Sequence, residues 1–333
     1  MKSFAERKQR WIDFYDPSSS VKRMYIVSCN EGMPPRPMLW WENKDQRIEW
    51  AYERCQRQIE HMEYIDDDSI PHLSLITGTE IFAEAFGCAV HKPQDNNPFA
   101  LPMVTNASEA AKIKIPRIED TKLSLIFEMA DKLRDRIGNA EVPFAMLDIQ
   151  TPMDIAALIW EKSDFYAAMY ESPEVVKELS EKIKTFMFDF FDTWFARYGK
   201  EFIAHYPDYY MPYGITMSED EIGAVSSGMY KEFFAGEINE FSDRYGAIGV
   251  HCCAHSKHQW ENLKSIHNLK LLNLVLNVEL TNRSVKFFSD TCVQMPAYYN
   301  YDGDEYSDIR LVKSLYVNTI EELKLLHKEL RHE

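Results

Sequence analysis

Two histidines and two cysteines fall within residues 251–255, directly after the apolar run 247–250. In an extended chain, side chains two residues apart point to the same side, so the imidazole of His251 and the thiol of Cys253 would converge. Imidazole and thiolate are ligands of zinc, and a catalytic zinc has three protein ligands and one open position. We therefore predict that His251 and Cys253 bind zinc. The alternative is a buried cysteine beside a hydrogen-bonded histidine, because a His-x-Cys spacing is common by chance.

A third ligand is needed to complete such a site, and Cys292 is the best candidate by its chemistry. It follows another predicted strand region, and its alternative interpretation is an ordinary half-buried cysteine. His255 and Glu279 are reserve candidates, and Glu279 would follow the apolar run 271–276. Cys252 is expected to point to the opposite face of the strand and to pack in the interior.

Further polar and aromatic groups could contribute to chemistry. Asp148 and Gln150 end the run 142–150 and face the same side of an extended chain. The loop 213–223 contains three consecutive acids, which could orient a ligand, although a solvated turn is the simpler interpretation. The aromatic segment 298–302 could line a substrate pocket or pack over the edge of the fold. We predict catalytic roles for Asp148, Asp220 and Tyr213, and substrate-binding roles for Gln150, Glu221 and Tyr298.

Segments with helical and strand-like patterns alternate along the chain. Helical spacing of apolar residues, or a capping residue, predicts helices at 46–63, 119–136, 151–160, 172–198, 228–244, 260–263 and 319–331. Apolar runs of strand length predict strands at 142–150, 209–213, 247–250 and 271–276. Such alternation is typical of an α/β protein with parallel β/α units, in which chemistry lies at the carboxyl ends of the strands. The polar clusters described above follow predicted strands.

Composition argues against several classes of protein. The chain has 333 residues and a net charge of −16, which disfavours binding to nucleic acid or to an anionic membrane, because both need a cationic surface. No run approaches about 18 apolar residues and the charged N-terminus lacks a signal-peptide pattern, so a cytoplasmic location is expected. The six cysteines are too few for a disulfide scaffold. No phosphate-binding glycine loop is visible, which disfavours kinases and Rossmann dehydrogenases.

Several segments, taken in order, resemble the uroporphyrinogen decarboxylase superfamily. The segment Asp148-Ile149-Gln150-Thr151-Pro152-Met153 is similar to the strand and Gly-Pro-Phe turn of that superfamily. Residues 226–234 are similar to its Ser-Pro-x-Met-Tyr-x-Glu-Phe segment, and residues 251–254 to its His-x-Cys-Gly turn. The resemblance also includes 172–179 and the acidic loop 220–223. It covers most of residues 110–280, and the order of the segments is more specific than any one of them.

The resemblance implies a TIM-type (β/α)8 barrel with an N-terminal helical extension. It would be a single domain over 1–333, in which 1–70 hold the extension and the first elements. One branch of the superfamily consists of zinc- and corrinoid-dependent methyltransferases, which bind zinc through His-x-Cys and a later cysteine. These positions correspond here to His251, Cys253 and Cys292. The chain would then move a methyl group between a small methyl donor or thiol acceptor and the corrinoid of a separate partner protein.

Two other functions stay open at this point. The decarboxylases of the superfamily work without a cofactor and hold the carboxylates of a porphyrinogen with a cluster of N-terminal arginines. The corresponding segment 31–40 of this chain contains one arginine, Arg36. The third candidate is a non-catalytic barrel that binds a small ligand or a partner protein.

Overall fold

The computed structural model describes residues 1–297 and 306–330. Its strands within these residues are β1 (Arg23–Cys29), β2 (Ala89–His91), β3 (Phe99–Leu101), β4 (Phe202–Ile203), β5 (Tyr210–Met211), β6 (Ile215–Ser218), β7 (Ile248–Cys252), β8 (Leu269–Leu274), β9 (Val293–Gln294) and β10 (Leu311–Val317). Its α-helices there are α1 (Phe4–Tyr15), α2 (Lys44–His61), α3 (Ile81–Ala85), α4 (Ala107–Ala110), α5 (Ser124–Ile137), α6 (Pro152–Ile159), α7 (Lys162–Glu171), α8 (Pro173–Tyr198), α9 (Ser227–Met229), α10 (Ala235–Tyr245), α11 (Trp260–Lys264), α12 (Val278–Phe287) and α13 (Ile320–Leu330).

Parallel pairing builds the wall of a barrel. Six strands form one sheet in the order β1-β10-β9-β8-β7-β6, and each neighbouring pair is parallel. Two extended segments, 70–77 and 143–150, complete the wall without a regular ladder. Backbone hydrogen bonds join segment 143–150 to β6 through Ser218 and to segment 70–77 through Leu73, and the Asp68 amide bonds back to β1. The six strands and two extended segments together confirm the predicted TIM-type barrel. Helix α1 precedes the barrel as a helical extension.

The sequence folds into these elements for recognisable local reasons. β7 and β8 are buried along almost their whole length, as parallel strands covered on both faces are, so they appear in the sequence as continuous apolar runs. Thr151 caps α6 through its side chain, with Pro152 in the first turn, as predicted. Gly246 ends α10 with a φ of +87°, a left-handed conformation that favours glycine, and the chain then turns directly into β7.

Several predicted boundaries were wrong. The helix predicted from residue 119 begins at Ser124, because 118–120 form a separate 3-10 turn. The strand predicted at 209–213 contracts to β5, which pairs with β4 in an antiparallel hairpin. The helix predicted at 228–244 is interrupted by a π-helical turn at Tyr230–Phe234. β7 runs two residues beyond its predicted end, so that His251 lies on the strand itself.

Within the part of the chain that is described, no helix combines the length and apolar character needed to cross a membrane.

Candidate metal centre

One group of potential metal ligands converges at the carboxyl ends of β6 and β7. Among residues 1–297 and 306–330, the potential ligand atoms of Asp220, His251 and Cys253 lie within 4.8 Å of one another. Asp220 and His251 are half-buried, and Cys253 is exposed. The structure therefore brings together the two predicted zinc ligands and one of the predicted catalytic acids.

Hydrogen bonds fix the orientation of the His251 ring. Asn273 is the β8 neighbour of His251 in the parallel ladder, and its side-chain oxygen lies 2.5 Å from His251 Nδ1. The amide nitrogen of Asn273 donates to the carbonyl of Met295, so its oxygen must be the acceptor that faces the imidazole. Nδ1 of His251 is therefore the protonated nitrogen, and Nε2 keeps a lone pair for a ligand. The Tyr206 ring packs edge-on against the imidazole, with the ring centroids 4.9 Å apart.

Asp220 and Cys253 are connected directly. The backbone amide of Cys253 donates to Asp220 Oδ1 at 2.6 Å, which ties the loop after β7 to the loop after β6. Burial and, after it, the negative charge of Asp220 together raise the pKa of the Cys253 thiol to about 12. A bound cation would reverse this effect, because it favours the thiolate. Nitrogen, sulfur and oxygen donors that converge from two adjacent strands fit a zinc ion.

A cavity of about 470 Å³ opens beside this group. Asp220 and His251 line it together with Asp148, which was predicted to be catalytic. Asp148 Oδ2 lies 3.3 Å from Nε2 of His205, and the two side chains are mostly buried. Asp148 and His205 therefore form a pair that can hold or exchange a proton beside the candidate metal ligands.

Cys292 and Tyr213 lie elsewhere, which corrects two predictions. Cys292 directly precedes β9, whose first residue pairs with Leu271, whereas His251 pairs with Asn273 further along β8. Cys292 therefore lies toward the amino-terminal end of the barrel, where burial raises its pKa to about 12. Tyr213 precedes β6 and lines a groove with Met211 and Ala247 at the same end of the barrel.

The remaining predicted residues do not join the group of ligands. His255 is exposed, and Glu279 is exposed on α12 within 4.0 Å of Arg283. Gln150 forms a parallel bridge with Ser218 at the end of the barrel where the site lies. Its buried side-chain oxygen has no hydrogen-bond partner within the described residues.

The Glu221 carboxylate lies in a separate ion pair. It accepts hydrogen bonds from Lys162 at 2.6 Å and from the Tyr166 hydroxyl. Glu221 does not line the cavity, so the structure does not place it among the substrate-binding residues. Tyr298, also predicted to bind substrate, lies outside the described residues.

Several residues of the site were missed in the sequence. His205 follows the apolar strand β4 as His251 follows the apolar start of β7, so the same signal could have found it. Asn273 looks like part of an apolar run, and only the β7–β8 register shows that it faces His251. Arg36 and Arg54 also line the cavity, from the loop before α2 and from α2 itself. Arg36 lies in the segment that corresponds to the arginine cluster of the decarboxylases, whereas nothing in the sequence context of Arg54 indicated its position.

Comparison with known proteins agrees with the fold and with the family resemblance. No curated protein matches the sequence. A methyltransferase from Methanosarcina mazei has a similar structure, with a TM-score of 0.67 over 98% of this chain and 99% of that chain, at 9% sequence identity. Residues 55–294, more than half of the chain, match the family described as uroporphyrinogen decarboxylase (URO-D). The chain therefore belongs to the URO-D family.

Proposed function

We propose that this chain is a zinc-dependent methyltransferase that transfers a methyl group between a small substrate and the corrinoid of a separate protein. The observation that carries the proposal is the convergence of Asp220, His251 and Cys253 beside a cavity at the carboxyl end of the barrel. In our proposal Asp220 replaces Cys292 as the third ligand. The structural likeness to a protein named as a methyltransferase supports the same reaction class.

The residues of the site suit this chemistry. When bound, zinc would lower the pKa of a substrate thiol or hydroxyl and stabilise its anionic form. Asn273 keeps Nε2 of His251 available as a ligand atom, and Tyr206 restricts the ring from the other side. Nε2 of His205 faces Asp148, so this pair can take up the proton that a substrate thiol or hydroxyl releases.

Zinc analysis and a methyl-transfer assay test the proposal. Purified protein is expected to contain one zinc per chain, and His251→Ala is expected to lose it. With methylcobalamin and 2-mercaptoethanol as probes, the zinc protein should form the methyl thioether and cob(I)alamin, and chelation should stop the reaction until zinc is restored. Wild-type protein that binds no zinc would refute the proposal. Zinc binding without any methyl transfer would leave the metal site but refute the reaction.

The second candidate function is decarboxylation without a cofactor. The observation in its favour is that Arg36 and Arg54 line the cavity and could hold substrate carboxylates. It predicts that chelation leaves activity on a porphyrinogen unchanged, whereas the methyltransferase proposal predicts no such activity. The same preparation of zinc-free protein therefore distinguishes the two functions.

A further inference from the structure

The turn that carries Asp220 has an unusual cap. Asp220 occupies the N-cap position of the 3-10 turn Glu221–Ala224, yet its side chain makes no capping hydrogen bond. An aspartate at this position commonly turns its carboxylate back onto its own turn. Here that carboxylate faces the backbone amide of Cys253 instead. The amides of Asp220 and Glu221 need a partner from another element, because an N-cap side chain reaches only the amides two and three residues further on.

Asp154 binds these two amides from another element. It lies in the first turn of α6 with 1% of its surface exposed. Its Oδ2 accepts the Asp220 amide at 2.6 Å, and its Oδ1 accepts the Glu221 amide at 3.1 Å. Both oxygens are thus used on consecutive amides of the turn, 66 and 67 residues away in the chain.

We infer that Asp154 is a positioning residue, which holds the backbone amides of Asp220 and Glu221 and thereby directs the Asp220 carboxylate toward His251 and Cys253. This inference rests on the proposed zinc centre. With Asp154 replaced, the turn loses its link to α6, so the Asp220 side chain is no longer held in one direction. It would then leave the group formed with His251 and Cys253.

Stability alone does not account for a carboxylate at this position. Asp154 is buried next to two other acids, Asp220 and Glu219, and no cation lies within 4.0 Å of it among the described residues. A buried charge without a cationic partner is costly, so a neutral amide of the same shape should be tolerated by the fold. Asparagine, however, has one acceptor oxygen instead of two and cannot cap both amides.

The test combines Asp154→Asn with a matched control. Glu237→Gln neutralises a second buried acid nearby, one that accepts the amide of Met153 and the Ser180 hydroxyl and has no bond to the turn. Zinc affinity is measured by competition with a chromophoric chelator. We expect Asp154→Asn to weaken zinc binding about 10–100-fold in a protein that stays folded by circular dichroism, and Glu237→Gln to bind zinc like the wild type. Equal affinity of Asp154→Asn and wild type would overturn the inference.

A double-mutant cycle separates positioning from a general structural role. If Asp154 acts through Asp220, Asp154→Asn should cause no further loss of zinc affinity in an Asp220→Ala background. The same loss in both backgrounds would show that Asp154 acts on the site by another route.

A readout without metal distinguishes failure of the inference from failure of the proposed function. In zinc-free protein, the amides of Asp220 and Glu221 should exchange hydrogen slowly in the wild type and in Glu237→Gln, and faster in Asp154→Asn. If wild-type protein binds no zinc, the proposed function fails, and the positioning role in metal binding fails with it. If zinc binds but exchange is the same in all three proteins, only the positioning role fails.

Discussion

Replacement of Asp220 and of Cys292 distinguishes the ligand set seen in the structure from the one predicted in the sequence. Asp220→Asn keeps an oxygen that can accept the Cys253 amide, which donates at 2.6 Å in the wild type, so the link between the two loops is retained. The substitution removes the negative charge that would bind the metal. Its effect on zinc binding therefore reports on ligation and not on collapse of the turn.

The expected magnitude follows from the number of ligands. Zinc binding to structural sites is worth about 10–16 kcal/mol at neutral pH, so one of three or four ligands contributes roughly 3 kcal/mol. Asp220→Asn should therefore weaken zinc binding by about two orders of magnitude. Cys292→Ala should leave zinc affinity unchanged and reduce stability by roughly 1 kcal/mol, because a buried sulfur atom is lost.

Competition titration of metal-free protein with a chromophoric chelator gives both affinities. Cobalt(II) substitution adds a second measurement, because the thiolate-to-cobalt absorption of Cys253 should persist in Asp220→Asn with an altered ligand-field spectrum. The reasoning would be refuted if Asp220→Asn bound zinc as tightly as the wild type. It would also be refuted if Cys292→Ala lost as much affinity as Asp220→Asn.

Three other predictions concern orientation and protonation. Asn273→Ala should weaken zinc binding about 10–100-fold, since Nδ1 of His251 loses its acceptor; an unchanged titration would contradict this. Zinc binding at pH 7 should release close to one proton from Cys253, whose pKa is raised to about 12, as calorimetry in buffers of different ionisation enthalpy can measure. Burial raises the pKa of Glu237 to about 8, so its contribution to stability is present below about pH 4.5 and is lost as the pH rises toward 8. Compared with Glu237→Gln in urea unfolding, the wild type should lose up to about 1.4 kcal/mol per pH unit in that window, and parallel profiles would exclude this account.

The parts of the fold that were predicted from sequence are those with strong local signals. β7 and β8 are apolar runs because both faces of each strand are covered, and α6 begins at a threonine cap followed by proline. The two extended segments 70–77 and 143–150 form few backbone hydrogen bonds with neighbouring strands, and their pairing depends on partners distant in the sequence. A local pattern therefore gave the second of these as an ordinary strand and gave no strand for the first.

The candidate site divides in the same way. His251 and Cys253 were identified because one strand end presents both of them, so their spacing was sufficient. Cys292 was chosen for its ligand chemistry, but its distance from His251 is decided by the register of β8 and β9. The register between two strands is not given by the local pattern of a single sequence. Ligand chemistry alone therefore could not place the third ligand.

Asp220 was predicted from the sequence to be catalytic, but its position as a possible third ligand was difficult to predict. Three consecutive acids in a loop are usually a solvated turn, and nothing local shows which of them faces inward. The direction of the Asp220 carboxylate is set by the Cys253 amide, 33 residues later, and its own amide is held by Asp154, 66 residues earlier. Oδ1 can keep its bond to the Cys253 amide while Oδ2 binds a cation, because a carboxylate has two acceptor oxygens. The two loops would then already be joined before the metal arrives, which reduces the ordering that zinc binding must bring about.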